Sequence, residues 1–355
     1  MVFVYFHGKN MSYYCHENSN VCLDGNFVDF WRVNIQLKIA VYNLRVKCAI
    51  LKLIYAATRG GMRFNMAKAY IFYNPLAGNG GCKDDIKELE AMISDEAIYC
   101  DMTKGYGDVI STLSDGDYII ICGGDGTLNR FINETDGMEI KGDVLYFASG
   151  SGNDFAHDLG HGKADKPYSI KEYLRDLPSV EVNGKSYRFL NGVGYGIDGY
   201  CCEVGDKMRA EKPGEKIDYS AIAIKGLLFH YKPKNAKVIV DGVEHSYKKV
   251  WIAPTMNGRF YGGGMMPTPD QQRLSDDKKV SLMMFHGSGA LHTLIMFPSL
   301  FKGEHVKYKK HVEVLCGREI TVEFDKPASL QIDGETILDV KKYTARASVP
   351  AKVEA

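Results

Sequence analysis

The residues best able to do chemistry lie in three glycine-rich stretches and one acidic pair. The apolar run Ile119-Ile120-Ile121-Cys122 leads into Gly123-Gly124-Asp125-Gly126-Thr127-Leu128-Asn129, so a strand ends in glycines, an acid and a hydroxyl where a helix begins. Glycines without side chains let backbone N–H groups approach phosphate oxygens, and the following helix adds its positive end. Asp125 could hold Mg²⁺ directly or through water, because this ion is bound by few carboxylates together with phosphate and water. A tight turn would explain one glycine, but not this whole sequence after a strand. Two more loops fit the same site: Asn74-Pro75-Leu76-Ala77-Gly78-Asn79-Gly80-Gly81 and Gly150-Ser151-Gly152-Asn153-Asp154-Phe155, each following an apolar run. Three such loops at the strand ends of one parallel sheet mark its ligand-binding edge. The P-loop pattern, with its lysine, is absent.

Asp333-Gly334-Glu335 follows the apolar run Leu330-Gln331-Ile332. On a continuing strand both carboxylates would share one face, and either could take a proton from an incoming hydroxyl. The same residues also read as a hairpin turn, for which Asp-Gly is a favoured dipeptide. The residues alone leave both open. Asn191-Gly192-Val193-Gly194-Tyr195-Gly196-Ile197-Asp198 has the look of a dinucleotide fingerprint, but no amphipathic helix is expected after it, and Asp198 reads as a turn carboxylate. His245, His286, His292 and His305 show no metal-ligand spacing.

These groups need elements to position them. Ala69–Tyr73, Ile98–Met102, Tyr118–Cys122 and Val144–Ala148 read as strands, alternating with helices over Asp84–Ile93 and Leu128–Asn133. Such alternation predicts a parallel sheet covered by helices. Beyond about Pro178 the pattern becomes short alternating runs: 236–240, 245–252, 280–285, 311–315, 320–324 and 328–332, with Asp241-Gly242 a hairpin signal. The expected fold class is α/β plus β: an N-terminal parallel-sheet nucleotide-binding domain, residues 66–178, then an antiparallel β domain, residues 179–355, with the active site in the cleft between them.

Residues 1–65 differ in texture. From Phe30 to Lys83 there is no acid, while Arg32, Lys38, Arg45, Lys47, Lys52, Arg59 and Arg63 are basic. No run there reaches the ~18 apolar residues of a membrane-spanning helix. The segment is either a basic amphipathic anchor on an anionic membrane or an extension preceding a true start at Met62 or Met66, and the second reading is preferred. A chain of 355 residues suits about two domains. Its zero net charge offers no field for nucleic acid. Nine cysteines without any C-x-x-C pair argue against a disulfide framework or a zinc site and for a reducing cytoplasm.

From Met66 onward the chain resembles the bacterial diacylglycerol kinase catalytic family, to which sphingosine kinases are related. The resemblance rests on Asn74-Pro75 with its glycines, Thr103, Gly123 to Asn129, Gly150 to Ala156, Asn191 to Asp198, Asn257-Gly258 with Gly262-Gly263-Gly264, and Asp333-Gly334-Glu335. It implies an ATP- and Mg²⁺-dependent kinase of a lipid hydroxyl, with diacylglycerol as the first acceptor and phosphatidic acid as product. It also implies that Asn74, Thr103, Gly123, Gly124, Asp125, Gly126, Thr127, Leu128, Asn129 and Ser151 meet the nucleotide. Asp333 would be the general base, with Glu335 and Asp154 beside it and Asp125 and Asp154 in the Mg²⁺ network. The family's second-domain Asp-Asp-Gly-x-x-Asp has become Asp276-Asp277-Lys278-Lys279-Val280-Ser281, so Asp277 as a further metal ligand sits beside two lysines.

The expected partner is a lipid acceptor at the inner face of the membrane, visited from the cytoplasm, with no nucleic acid; a homodimer is compatible with the resemblance. Ala290 to Phe301 is the most apolar segment and is expected to pack as core, while Lys302, His305, Lys307, Lys309, Lys310 and His311 form a basic cluster open to anionic headgroups. Two other functions stand beside the first: a kinase of another lipid or of a soluble acceptor, as in NAD kinases and phosphofructokinases, and a nucleotide-binding regulator without catalysis.

Overall fold

The computed structural model describes residues 3–7, 10–14, 21–22, 67–75, 82–150, 152–163, 165–212, 214–215 and 217–348. The chain divides into two units, Met1–Asn65 and Met66–Ala355. In the first, β1 (Phe3–His7), β2 (Asn10–Tyr14) and β3 (Val21–Cys22) form an antiparallel sheet. The basic stretch from Phe30 to Arg63 lies outside the described residues, as do Gly78, Gly80, Gly81 and Ser151.

The second unit begins with β4 (Lys68–Tyr73), α1 (Cys82–Glu90), β5 (Glu96–Asp101), α2 (Gly107–Thr112), β6 (Tyr118–Gly123), α3 (Asp125–Glu134), β7 (Asp143–Ala148), α4 (Asp154–Asp158), β8 (Tyr168–Ser169) and α5 (Lys171–Leu174). The strands lie in the order β5-β4-β6-β7-β8, all parallel except β8. A parallel sheet is covered on both faces, so its strands run nearly continuously apolar. Tyr70, Phe72, Ile119, Ile121 and Tyr146 pack on one face under Leu128 and Phe131 of α3. Ala69, Ile71, Ile120 and Phe147 pack on the other with Leu89 of α1.

The rest is built on β9 (Ser179–Val182), β10 (Lys185–Arg188), β11 (Gly192–Tyr195), α6 (Ile197–Glu211), α7 (Tyr219–Lys225), β12 (Lys234–Val240), β13 (Val243–Val250), β14 (Thr255–Met256), β15 (Val280–Phe285), α8 (Ala290–Met296), β16 (Val312–Gly317), β17 (Glu319–Ile332) and β18 (Glu335–Arg346). Its sheet is antiparallel throughout, ordered β10-β9-β18-β17-β11-β14-β15-β16, with β12 paired to β13 and β17. Val238, Leu282, Val322, Phe324, Leu330 and Tyr343 are among its fully buried core.

Asp241 and Gly242 take φ of 48° and 86° at the turn joining β12 to β13, the left-handed pair that such a hairpin needs. Asp333 and Gly334, at 46° and 98°, do the same between β17 and β18. Of the two readings left open for Asp333-Gly334-Glu335, the structure takes the hairpin turn, so Asp333 and Glu335 are not neighbours on one strand face. Two expectations are corrected. The runs 320–324 and 328–332 form one long strand, with a register shift against β18 between them. A fifteen-residue helix, α6, does follow Gly196.

Candidate active site

The ligand edge of the parallel sheet is shaped by close backbone approach. A Cβ on Gly150 would lie 2.5 Å from the Gly124 Cα, so the loops after β6 and β7 touch through their glycines. Gly124 caps α3 without any side-chain hydrogen bond. That leaves the positive end of a ten-residue helix facing the cleft. Thr127, Leu128 and Asn129 are buried in its first turns. Thr103 lies at the end of β5, where its N–H and hydroxyl both donate to Asp101 Oδ1 at 2.9 and 2.7 Å. Asn74 directly follows β4 at the same edge.

Asp125 stands at the start of α3 and looks across to α4. Its Oδ2 accepts from the Asp154 N–H at 2.9 Å, and its Oδ1 from the Phe155 N–H at 3.1 Å and Asn191 Nδ2 at 3.1 Å. Asp154 is buried, and its oxygens accept from the Gly264 and Gly263 N–H groups at 2.6 and 2.8 Å. Gly262, Gly263 and Gly264 all have positive φ, a run of left-handed turns that only glycine adopts without strain. Burial, then the nearby Asp125 charge, push the Asp154 carboxyl up to about 6.

Asp333 reaches the same cleft from the far hairpin. Its Oδ1 accepts from the Asn191 and Gly192 N–H groups at 2.8 and 2.9 Å, and its Oδ2 from the Leu190 N–H at 2.5 Å and Asn129 Nδ2 at 3.0 Å. Burial pushes this carboxyl up, and the four donors pull it down. Glu335 is exposed nearby: a Cβ on Gly126 would come 3.9 Å from its Oε1. Asp198, at the start of α6, is buried, accepts from Gln331 Nε2 at 2.9 Å and is pushed up to about 6 by burial. It is an interior carboxylate beside the site, not a turn residue.

The structure thus brings Asp125, Asn129, Asp154, Asp333 and Glu335 to one cleft. It also shows residues that sequence patterns missed. Asp158 of α4 binds Arg259 Nε at 2.7 Å and Arg273 Nε at 2.5 Å. Arg273 is buried, donates to Leu190 O and Asn191 Oδ1, and stacks 4.9 Å over the Phe155 ring. With partners more than a hundred residues apart, no local spacing could have signalled this clamp.

Asp277 lies elsewhere, on the loop before β15. Its Oδ1 accepts from Ser275 Oγ at 3.0 Å and the Lys279 N–H at 3.3 Å, and Lys279 Nζ is 3.4 Å from Oδ2. Lys278 keeps a φ of 51° where the family pattern has glycine. Buried Ser281, at the position of the last acid, donates to Gln271 Oε1 at 2.6 Å, and Gln271 Nε2 donates to Lys279 O. With an ammonium already on Asp277 and a hydroxyl in place of the second carboxylate, these residues do not fit a divalent cation. Among the described residues no three His, Cys, Asp or Glu side chains form a metal cluster. At the cleft the fit is better, because the Asp125 charge adds to the cost of ionising buried Asp154, a penalty that a cation would relieve.

Two family models cover this architecture in succession: the diacylglycerol kinase catalytic domain over residues 68–181, and the YegS C-terminal NAD kinase beta sandwich-like domain over residues 191–353. A diacylglycerol kinase of Mycobacterium tuberculosis is 25% identical over 289 residues, covering 77% of this chain and 90% of that protein. The crystal structure of a diacylglycerol kinase from Bacillus anthracis has the same fold, with a TM-score of 0.55 at 20% identity over 82% of this chain and 100% of that one. The chain belongs to the diacylglycerol kinase catalytic family of lipid kinases. Among the described residues, no helix is long and apolar enough to cross a membrane.

Proposed function

We propose that the protein transfers the γ-phosphate of ATP, carried as its Mg²⁺ complex, to a lipid hydroxyl, with diacylglycerol as acceptor and phosphatidic acid as product. The observation that carries this reading is the meeting of an uncapped, glycine-lined helix end with Asp125, Asp154, Asp333 and Glu335 in one cleft. Phosphoryl transfer asks mainly for positioning and charge neutralisation. The N–H groups around Gly124 to Gly126 would take the phosphates, with Asn74 and Thr103 along the nucleotide rim. Asp125 and Asp154 would hold Mg²⁺, which neutralises charge on the transferring group.

For the proton acceptor, the geometry favours Asp154 over the Asp333 that resemblance points to. A carboxylate has about four lone-pair directions, and all those of Asp333 are met by donors. Asp154 accepts one hydrogen bond on each oxygen, which leaves room for a hydroxyl. Asp333 then acts as a positioning residue that holds Asn129 and the 190–192 backbone.

Purified protein with Mg²⁺ and labelled ATP is expected to phosphorylate diacylglycerol in mixed micelles, with sphingosine and ceramide run beside it. Asp154→Asn should lower turnover by about 10² to 10⁴ without lowering the melting temperature. Phosphorylation of NAD or fructose 6-phosphate, and of no lipid, would overturn the proposal.

A further inference from the structure

Apolar side chains face solvent on two adjoining segments of the antiparallel lobe. Phe229 is 76% exposed, at the tip of the π-helical turn Gly226–His230 that continues α7. Leu291 and Ile295, one turn apart on α8, are 67% and 68% exposed. Ile224, Leu228 and Phe301 are exposed beside them. The two segments pack on each other, and their inward residues Ile222, Leu227, Met296 and Leu300 share one core. Here the expectation that 290–301 is plain core fails for five of its twelve residues: one stripe is buried and the other faces water.

Charge adds a second, independent observation. There is no Asp or Glu from Tyr219 to Val240, nor from Lys278 to Gly303, the two stretches that carry these side chains. Lys225, His230, Lys232, His292 and Lys302 are exposed within them. The flanking acids are occupied: Asp218 accepts from the Ala221 N–H, and Glu304 pairs with Lys307 at 2.9 Å. His305 does not belong to this basic set. It is fully buried and bonded to Pro267 O.

The face also adjoins the cleft. Gly226 packs so tightly that a Cβ would lie 2.7 Å from the Tyr200 ring, next to Ile197 at the start of α6, one residue from Asp198. On the other side the Met266 N–H donates to Leu300 O at 2.9 Å, which ties the turn after α8 to the glycine loop that holds Asp154.

We infer that this face, with Phe229, Leu291 and Ile295 at its centre, docks the protein on an anionic lipid bilayer and so brings a lipid hydroxyl to the Asp154 side of the cleft. The inference rests on the lipid-kinase reading for its purpose, but its surface chemistry stands alone. Apolar tips enter the boundary between headgroups and chains while lysines meet lipid phosphates, and stable anchoring needs both signals.

The test sediments the full chain with vesicles of phosphatidylglycerol and phosphatidylcholine in equal parts, and with phosphatidylcholine alone. Binding is expected to the mixture, weakened by salt. It should fall by about tenfold or more in the Phe229→Asp/Ile295→Asp double variant. Both side chains face water, so the variant should melt as the parent does and retain its turnover on dispersed dioctanoylglycerol. A double variant that sediments like the parent would overturn the proposal, as would a parent that ignores anionic vesicles. So would a variant that loses self-association and nothing else, since the face would then belong to a second copy. Loss of vesicle binding in proteins that phosphorylate no lipid would keep the docking face and discard the proposed function. Turnover on dioctanoylglycerol without vesicle binding would do the reverse.

Discussion

Replacing Asp198 with asparagine should stabilise the protein, although the residue sits beside the candidate active site. Its carboxyl is moved by burial from an ordinary 3.8 to about 6. At about 1.4 kcal/mol for each tenfold change in acidity, ionising it costs about 3 kcal/mol more in the folded than in the unfolded chain. A raised carboxyl favours folding when protonated, so this cost appears as pH climbs past 3.8 and is complete above about 6. Asparagine carries no charge, and its amide oxygen can still accept from Gln331. With an unfolding entropy of about 2.1 cal/mol/K per residue, the gain corresponds to a rise of about 5 °C in melting temperature near neutral pH. Calorimetry across a pH series would measure it. The gap between variant and parent should be full at about pH 7.5 and close towards about pH 4. A variant that melts no higher at neutral pH, or that shows the same gap at both ends, would refute the electrostatic reasoning.

Three more expectations concern packing and ions. In Gly199→Ala the new Cβ would lie 1.9 Å from the Ser329 carbonyl oxygen; rigid backbone cannot yield, and a loss of about 3 kcal/mol should appear as a lower urea midpoint. An unchanged midpoint would mean that α6 can slide on β17. Arg273→Lys keeps the charge but not the fork that grips Asp158, Leu190 O and Asn191, and should cost about 2 kcal/mol or more in the same assay; a neutral result would show that the clamp is redundant. Asp277→Ala should leave any Mg²⁺-dependent change in melting temperature as it is in the parent, because Lys279 already occupies Asp277. A Mg²⁺-dependent rise that Asp277→Ala removes would contradict that account.

Much of the parallel sheet was legible because strands buried on both faces are written as apolar runs, as in 118–123 and 143–148. The hairpin at Asp241-Gly242 was legible because its backbone demands those residue types. Helix α6 was not. Its sequence carries Gly199 and Gly205, which weaken a helix locally. Both are there for closeness: Gly199 lies against Ser329, and Gly205 against the Tyr219 ring. Strand β18 escaped for a different reason: eight of its twelve residues carry charge or a polar group, and Asp339 interrupts the alternation with a φ of 55°. That the glycine-rich stretches after β6 and β7 lie together at the strand ends could be expected from their composition. That Asp333 would be saturated by donors from Asn129 and residues 190–192 could not, because those partners lie 141 to 204 positions away.

The fastenings across the cleft bear on how the protein moves. Asp154 is bound to Gly263 and Gly264, Asp158 to Arg259 and Arg273, Asp125 to Asn191, and Asp333 to Asn129. A wide hinge opening between the two sheets would have to break charge-assisted bonds at all four places at once. Each is stronger than an ordinary hydrogen bond. Access to the cleft therefore falls to the loops at its rim, and the pace of exchange there should be set by local rearrangement while the two sheets travel as one body.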